Sequence, residues 1–356
     1  MGTDGTERRK MNRLLIVKPS SLGDILHAFP AAAALCRETG AAADWLVHPA
    51  FAPLLRYLPC VKRGILFERR RLGSLRTFLP AWFSLRRELK REKYDAVIDF
   101  QGLLRSALLG RTARAEICAG MPHEWIARPF YGRKLSADPH LHALLRNNAA
   151  AADFLGKPAD EIDFSFRLEP VEEYVRSART LLGKNGVPSD RRNMLIGIAP
   201  GARWPTKQWP PAFFARLIGE IGKIFPEALF LLFGSQADAE GAETIRKSVP
   251  DPERVVGFCG QTELGDLVEL TRLCSLFISN DSGPMHIAAA LDIPVLAFFG
   301  ATSPVLTGPY TRRKAILRPG LPCEQCFRHR CADMKCHGAV RPEDAAAAAA
   351  RLLERE

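Results

Sequence analysis

The residues best suited to chemistry lie on short loops, each following an apolar run. Asn280-Asp281-Ser282-Gly283-Pro284-Met285-His286 falls between a strand-like run and a helical one. Pro284 suits the first helical position, and Ser282-Gly283 leaves backbone N–H groups open at the helix start. Open donors at the positive end of a helix suit a diphosphate, and His286 in the first turn adds another donor. The competing account of Asp281 or Ser282 is ordinary helix capping.

A second loop, Ala199 to Pro210, follows the run Leu195-Ile196-Gly197-Ile198. Gly201 permits close backbone approach, and Arg203 and Lys207 offset developing phosphate charge. Trp204 and Trp209 are placed either to stack on a sugar or base or to pack. Gly234-Ser235-Gln236 is a third candidate, for the nucleoside. In the first half of the chain the corresponding loop is Lys18-Pro19-Ser20-Ser21-Leu22-Gly23-Asp24. Asp24 at the opening of a helix either complements the helix dipole or serves as a base, since that dipole favours its ionised form. A base suits glycosyl transfer, because the attacking hydroxyl must shed its proton.

The elements that must position these loops alternate between strand and helix. Arg13 to Lys18 reads as a buried strand, and Leu22, Leu26, Phe29, Ala33 and Cys36 follow on one helical face, with a kink expected at Pro30. Asp44 to Val47 and Ala96 to Phe100 are further strands. A second series runs through Leu195–Ile198, Ala228–Phe233, Leu276–Ile278 and Val295–Phe299. Such alternation predicts an α/β fold of two doubly wound parallel sheets, with ligands beyond the carboxyl ends of the strands and a cleft between the halves. An amphipathic stretch over Val171–Leu182, then Gly183-Lys184-Asn185-Gly186, places the boundary after residue 185. The expected layout is a frayed tail over 1–11, domains over 12–185 and 186–340, and a helical end over 341–356.

Composition narrows the function. Hydrophobic residues make up 47% and charged ones 25%, a folded-protein profile, and no run approaches a membrane span. The start of the chain has no apolar stretch before a cleavage site, so no secretory route is expected. Of the net charge of +11, Lys62 to Lys93 carries much, with eleven Lys or Arg against three Glu. An anionic partner is expected: nucleic acid, a phosphorylated glycan or a membrane surface, with a solvated helix face as the plain alternative. Nucleic acid fits least, since no recognition-helix, RRM or OB pattern is present. Neither a Walker loop nor a Gly-x-Gly-x-x-Gly fingerprint occurs, which weakens kinase and dehydrogenase readings.

Taken together, four segments resemble glycosyltransferase family 9, the ADP-heptose:lipopolysaccharide heptosyltransferases. They are Leu15 to His27, Asp99 to Ser106, Lys207-Gln208-Trp209-Pro210 and Asn280 to His286, in family order and within roughly residues 12 to 345. The resemblance implies a GT-B fold of two Rossmann-like domains facing across a cleft, the last helix crossing back to the first domain. It implies an inverting transfer of heptose from ADP-heptose to Kdo or heptose of the lipopolysaccharide inner core, with no cofactor required. Asp24 would be the general base and Lys207 would stabilise the departing ADP. Asp281 would orient the sugar, and Ser282, Gly283 and His286 would contact the diphosphate, with Pro200, Gly201 and Ser235 also on the donor side. Ser21, Gln101 and Arg105 would lie on the acceptor side. The Pro200-Gly201 loop is longer and richer in tryptophan than in some members. A family 9 enzyme using another nucleotide sugar is the near alternative. By charge, Arg69, Arg70 and Arg71 are assigned to the anionic acceptor or the inner membrane face, making the expected protein cytoplasmic and peripheral.

Nine cysteines remain to be placed. Cys36, Cys60, Cys118, Cys259 and Cys274 sit in apolar surroundings and read as core. Cys323, Cys326, Cys331 and Cys336 fall within fourteen residues, with His329 and His337 nearby. Structural zinc is one reading; free thiols or disulfides are the others.

Overall fold

Leu14, Leu15, Ile16 and Val17 are all fully buried, which a strand needs only when helices cover both faces of its sheet. In the computed structural model they form β1 (Arg13–Val17). The structure describes residues 10–67, 75–187 and 194–354, without the side chains of 75–81. Residues 1–9 of the tail expected over 1–11, and the Arg69-Arg70-Arg71 assignment, therefore lie outside the described residues, while Met11 is buried and donates to the Thr39 carbonyl. The chain divides into two units, 1–166 and 167–356.

In the first unit β1 is followed by α1 (Leu22–Thr39), β2 (Ala42–Val47), β3 (Val61–Leu66) and α2 (Leu75–Leu89). Then come β4 (Ala96–Asp99), α3 (Leu104–Thr112), β5 (Ile117–Gly120), β6 (Arg133–Lys134) and α4 (Ala143–Leu155). The strands form one parallel sheet in the order β3-β2-β1-β4-β5-β6, with Leu14 opposite Ala43 on one side and Ala96 on the other. Pro30 lies inside α1 without ending it; the helix closes at Gly40, which takes the left-handed conformation. α1 packs on α4, where Ala34 and Ala152 allow close approach.

The second unit opens with α5 (Glu172–Lys184), then β7 (Leu195–Ala199), α6 (Pro211–Ile224), β8 (Leu229–Leu232), α7 (Ala239–Ser248) and β9 (Val255–Gly257). It continues with α8 (Leu264–Arg272), β10 (Leu276–Asn280), α9 (Gly283–Ala290), β11 (Val295–Phe298), α10 (Pro304–Thr307), β12 (Lys314–Leu317), α11 (Lys335–Ala339) and α12 (Pro342–Leu353). Its sheet is again parallel, in the order β12-β11-β10-β7-β8-β9. In both sheets the order reverses beside the first strand, between β1 and β4 and between β7 and β10.

Two boundaries differ from expectation. α5 belongs to the second unit, because Ala178 and Leu182 share a core with Leu270 of α8, and Arg272 donates to the Leu168 carbonyl. The division thus falls at 166/167 rather than after 185. The last helix, α12, packs within the second unit on α6 and on β10 to β12. Its alanines Ala345, Ala346, Ala348 and Ala349 are buried there with Phe214 and Phe298, small side chains that let the helix lie close to the sheet. Among the described residues, no helix is long and apolar enough to cross a membrane.

Candidate active site

Ligands of doubly wound sheets bind beyond the carboxyl ends of the strands where the strand order reverses. In the second unit that point lies beyond β7 and β10, and the loops after these strands are tied together by Asn280. This residue is fully buried; its Oδ1 accepts from the Trp209 backbone N–H at 3.0 Å, and its Nδ2 donates to the Pro200 carbonyl at 2.6 Å. The latch brings Lys207 against Asp281, Nζ to Oδ2 2.6 Å, with Asp281 only 6% exposed. The Thr302 hydroxyl, from the loop after β11, donates to the same carboxylate oxygen at 2.5 Å. Lys207 also sits over the Trp204 ring, 4.4 Å from its centroid.

α9 begins at Gly283 with Pro in its first turn, no acidic residue there and no side-chain cap. The Ser279 hydroxyl donates to the Asn280 carbonyl at 2.7 Å, so the Ser282 hydroxyl, 3.1 Å away, donates to Ser279 and turns from the helix end. The first-turn N–H groups keep their partial positive charge, the condition for holding an anion. Beyond β8, Asp238 accepts from the Ser235 amide at 2.8 Å and hydroxyl at 2.7 Å. A Cβ on Gly201 would lie 2.5 Å from Asp238 Oδ1, so the glycine here admits a carboxylate of the protein itself.

In the first unit the reversal point lies beyond β1 and β4. Asp24 is the third residue of α1, and its Oδ2 accepts from both the amide and the hydroxyl of Ser21, each at 2.9 Å. Lys18 is buried and donates from Nζ to the Phe100 carbonyl at 3.0 Å. Burial lowers its pKa, opposed by the charges of Asp24 and Asp99. His123 is held below the ordinary histidine range by desolvation of its ring and then by the charges of Lys18 and Arg146, with Asp24 opposing. Lys18, His123 and Arg146 therefore share one field with Asp24. After β4, fully buried Asp99 organises the turn: Oδ1 accepts from the amides of Gln101 at 2.7 Å and Gly102 at 3.1 Å, and Oδ2 accepts from the Tyr131 hydroxyl at 2.6 Å. Burial raises the Asp99 pKa against those bonds. Gly102 has φ +67°, and a Cβ there would lie 1.8 Å from the Met121 carbonyl oxygen, so only glycine fits. The Gln101 Oε1 is buried without a protein donor, and Arg105 is exposed on the first turn of α3.

Two parallel sheets, each with polar groups gathered at its reversal point, narrow the fold but leave many families open. The family model for glycosyltransferase family 9 (heptosyltransferase) matches residues 82–337. The chain belongs to this family. Lipopolysaccharide heptosyltransferase 1 of Pseudomonas aeruginosa is 31% identical to this family 9 glycosyltransferase over 327 residues, 90% of the chain and 87% of the relative. The Escherichia coli K12 protein of the same name is 29% identical over 322 residues, covering 86% and 93%. Among solved structures, a family 9 glycosyltransferase from Veillonella parvula superposes with a TM-score of 0.85 at 24% identity, covering 97% and 98% of the two chains. Escherichia coli heptosyltransferase WaaC with ADP superposes with a TM-score of 0.75 at 25% identity, covering 96% and 99%. These matches establish the GT-B fold.

Against the sequence, the structure of this family 9 enzyme gathers Lys207, Asp281, Ser282 and Gly283 at one reversal point and Ser21, Asp24 and Gln101 at the other. Pro200, Gly201 and Ser235 shape the first of these loops, while His286 is buried in the first turn of α9. Trp209 packs: it is buried, stacks on Phe298 at 4.2 Å and donates from Nε1 to the Val340 carbonyl. The Trp204 ring engages His329 and Lys207. Among the described residues no group of three or more His, Cys, Asp or Glu is placed to hold a metal ion, and Cys323, Cys326, Cys331 and Cys336 are free thiols. Gln325 and Phe327, both at positive φ, donate to the carbonyls of Gly300 and Ala301, which ties the cysteine-bearing segment to the loop after β11. Sequence reasoning gave no role to Asn280 and Lys18, though both stood in its candidate loops, and it missed Thr302, Asp238, His123 and Arg146. The position of Asn280 and Lys18 at strand ends was the available signal.

Proposed function

We propose that this family 9 glycosyltransferase transfers heptose from ADP-heptose to Kdo or heptose of the lipopolysaccharide inner core, with inversion at the anomeric carbon. The observation that carries the reading is the Lys207–Asp281 ion pair at the reversal point beside the uncapped start of α9. The pair is close to neutral overall, so the helix end must attract the diphosphate. Lys207 then has a partner to exchange: as the bond from sugar to diphosphate breaks, negative charge grows on the leaving ADP and the ammonium follows it. Asp281, kept in place by Thr302, turns to the sugar hydroxyls.

Asp24 accepts the proton of the attacking acceptor hydroxyl. Its Oδ2 is anchored by Ser21, which fixes the orientation of the carboxylate. Lys18, His123 and Arg146 suit an acceptor that carries its own negative charge, as a sugar acid does. Chemistry of this kind needs no metal, since lysine and helix end supply the positive charge. The basic segment 62–93 brings the enzyme to the cytoplasmic face of the inner membrane, where its lipid-linked acceptor resides. Relatives support the donor: a solved structure with 25% identity holds ADP, and another of the same enzyme holds ADP-2-deoxy-2-fluoro heptose.

A crystal soaked with ADP-heptose tests the proposal. The diphosphate is expected against the backbone at 282–285 with Lys207 moved onto it. A nucleotide bound elsewhere, with this helix end empty, overturns the assignment.

A further inference from the structure

The segment from Leu321 to Ala339 has no part in the chemistry above, yet it is bonded to the loop after β7, which carries Lys207, and to the loop after β11, whose Thr302 holds Asp281. Its Gln325 and Phe327 amides donate to the carbonyls of Gly300 and Ala301, each at 2.7 Å, next to Thr302. Its Arg328 carbonyl accepts from the hydroxyl of buried Thr206 at 2.6 Å. The exposed His329 ring then stacks on Trp204, centroids 3.8 Å apart and planes 25° apart. That same indole faces the Lys207 ammonium at 4.4 Å.

A lysine side chain is long and flexible, and one ion pair fixes only its tip. An aromatic face beside the ammonium is a second restraint, effective only if the indole itself is fixed. We infer that His329 is a positioning residue: by stacking on Trp204 it holds the indole that steers Lys207 toward the leaving diphosphate. The inference rests on the role given to Lys207 above. It also explains why this segment is bonded to the loops after β7 and β11.

The test is steady-state kinetics with ADP-heptose, together with ADP binding by calorimetry and thermal melting. His329→Ala is expected to lower kcat about 5- to 30-fold, the range a lost cation–aromatic restraint supports, with a smaller change in donor KM and an unchanged melting temperature. Trp204→Ala should reproduce the loss. His329→Phe, which keeps a stacking ring, should restore most of kcat, an outcome that a general loosening of the strap does not produce. In a Lys207→Ala background, His329→Ala should add nothing. The inference is overturned if His329→Ala keeps kcat within about twofold of the parent, if its effect adds fully to that of Lys207→Ala, or if His329→Phe is as impaired as His329→Ala. Should Lys207→Ala itself leave turnover and ADP binding unchanged, the proposed function fails with it; should Lys207→Ala impair both while His329→Ala does nothing, only the positioning role falls.

Discussion

Replacing Asn280 with alanine tests whether the two donor-side loops are held by one buried amide. The side chain satisfies the Trp209 N–H and the Pro200 carbonyl in a fully buried position. Alanine strands both groups, and each buried orphan costs about 1–3 kcal/mol, so the second unit should lose about 2–6 kcal/mol. At about 2–4 °C per kcal/mol for a domain of this size, the melting temperature should fall by about 4–24 °C. Function should suffer too, because Lys207 lies two residues before Trp209 and is aimed by the same latch. A displacement near 1 Å at such a group costs up to about 100-fold in rate. Denaturant unfolding gives the stability term, and ADP release in the presence of acceptor gives the rate. Asn280→Asp is the informative companion: it keeps the acceptor for Trp209 but loses the donor to Pro200 and buries a charge, so it should be no better than alanine. A loss below about 1 kcal/mol with kcat/KM within about threefold of the parent would refute the latch.

Three further outcomes follow from the same geometry. Asp24→Ala should reduce turnover by about 10²- to 10⁴-fold while ADP binding measured by calorimetry survives; lost ADP binding with retained turnover would mean the base lies elsewhere. Lys207→Ala should lower kcat by about 10²- to 10³-fold and raise donor KM, because it removes charge that matters most as ADP departs; an effect on KM alone would reduce Lys207 to a binding residue. Changing Arg69, Arg70 and Arg71 together to Gln should weaken binding to anionic vesicles by about 100-fold at low salt, at about 1 kcal/mol for each basic residue. Equal partitioning of parent and variant would dismiss the membrane assignment.

The parts legible in the sequence are those that depend on neighbours along the chain. Strand ends, the Pro284 helix start and the Gly23-Asp24 opening are local signals, and they singled out Asp24, Lys207 and Asp281 as candidates. What was not legible depends on which loops the sheet order brings together. Asn280 looks like a strand terminus until β7 is known to lie beside β10, and only then does its amide have a partner 80 residues away in Pro200. The contact between Trp204 and His329 is of the same kind, so the indole read equally well as a ligand platform or as packing. The amphipathic pattern over Val171–Leu182 required burial without naming the unit that supplies it. For the four cysteines, spacing counted thiols, but the bonds of Gln325 and Phe327 decide where the backbone runs.

The two reversal points share a topology and differ in what occupies the helix that follows. At α1 the helix end is already met by its own Asp24, whose carboxylate is tied to Ser21. The partial positive charge there already faces a carboxylate that Ser21 holds in one orientation, which is what the proposed base requires. At α9 the first turn has no acidic residue, and the Ser282 hydroxyl turns to Ser279, so the same partial charge stays available to an incoming anion. Had both helix ends been capped by acids, the second unit would repel a diphosphate; had neither been, the first would have no base. On the proposed function, the difference of one carboxylate between the two turns suits proton acceptance in the first unit and donor binding in the second.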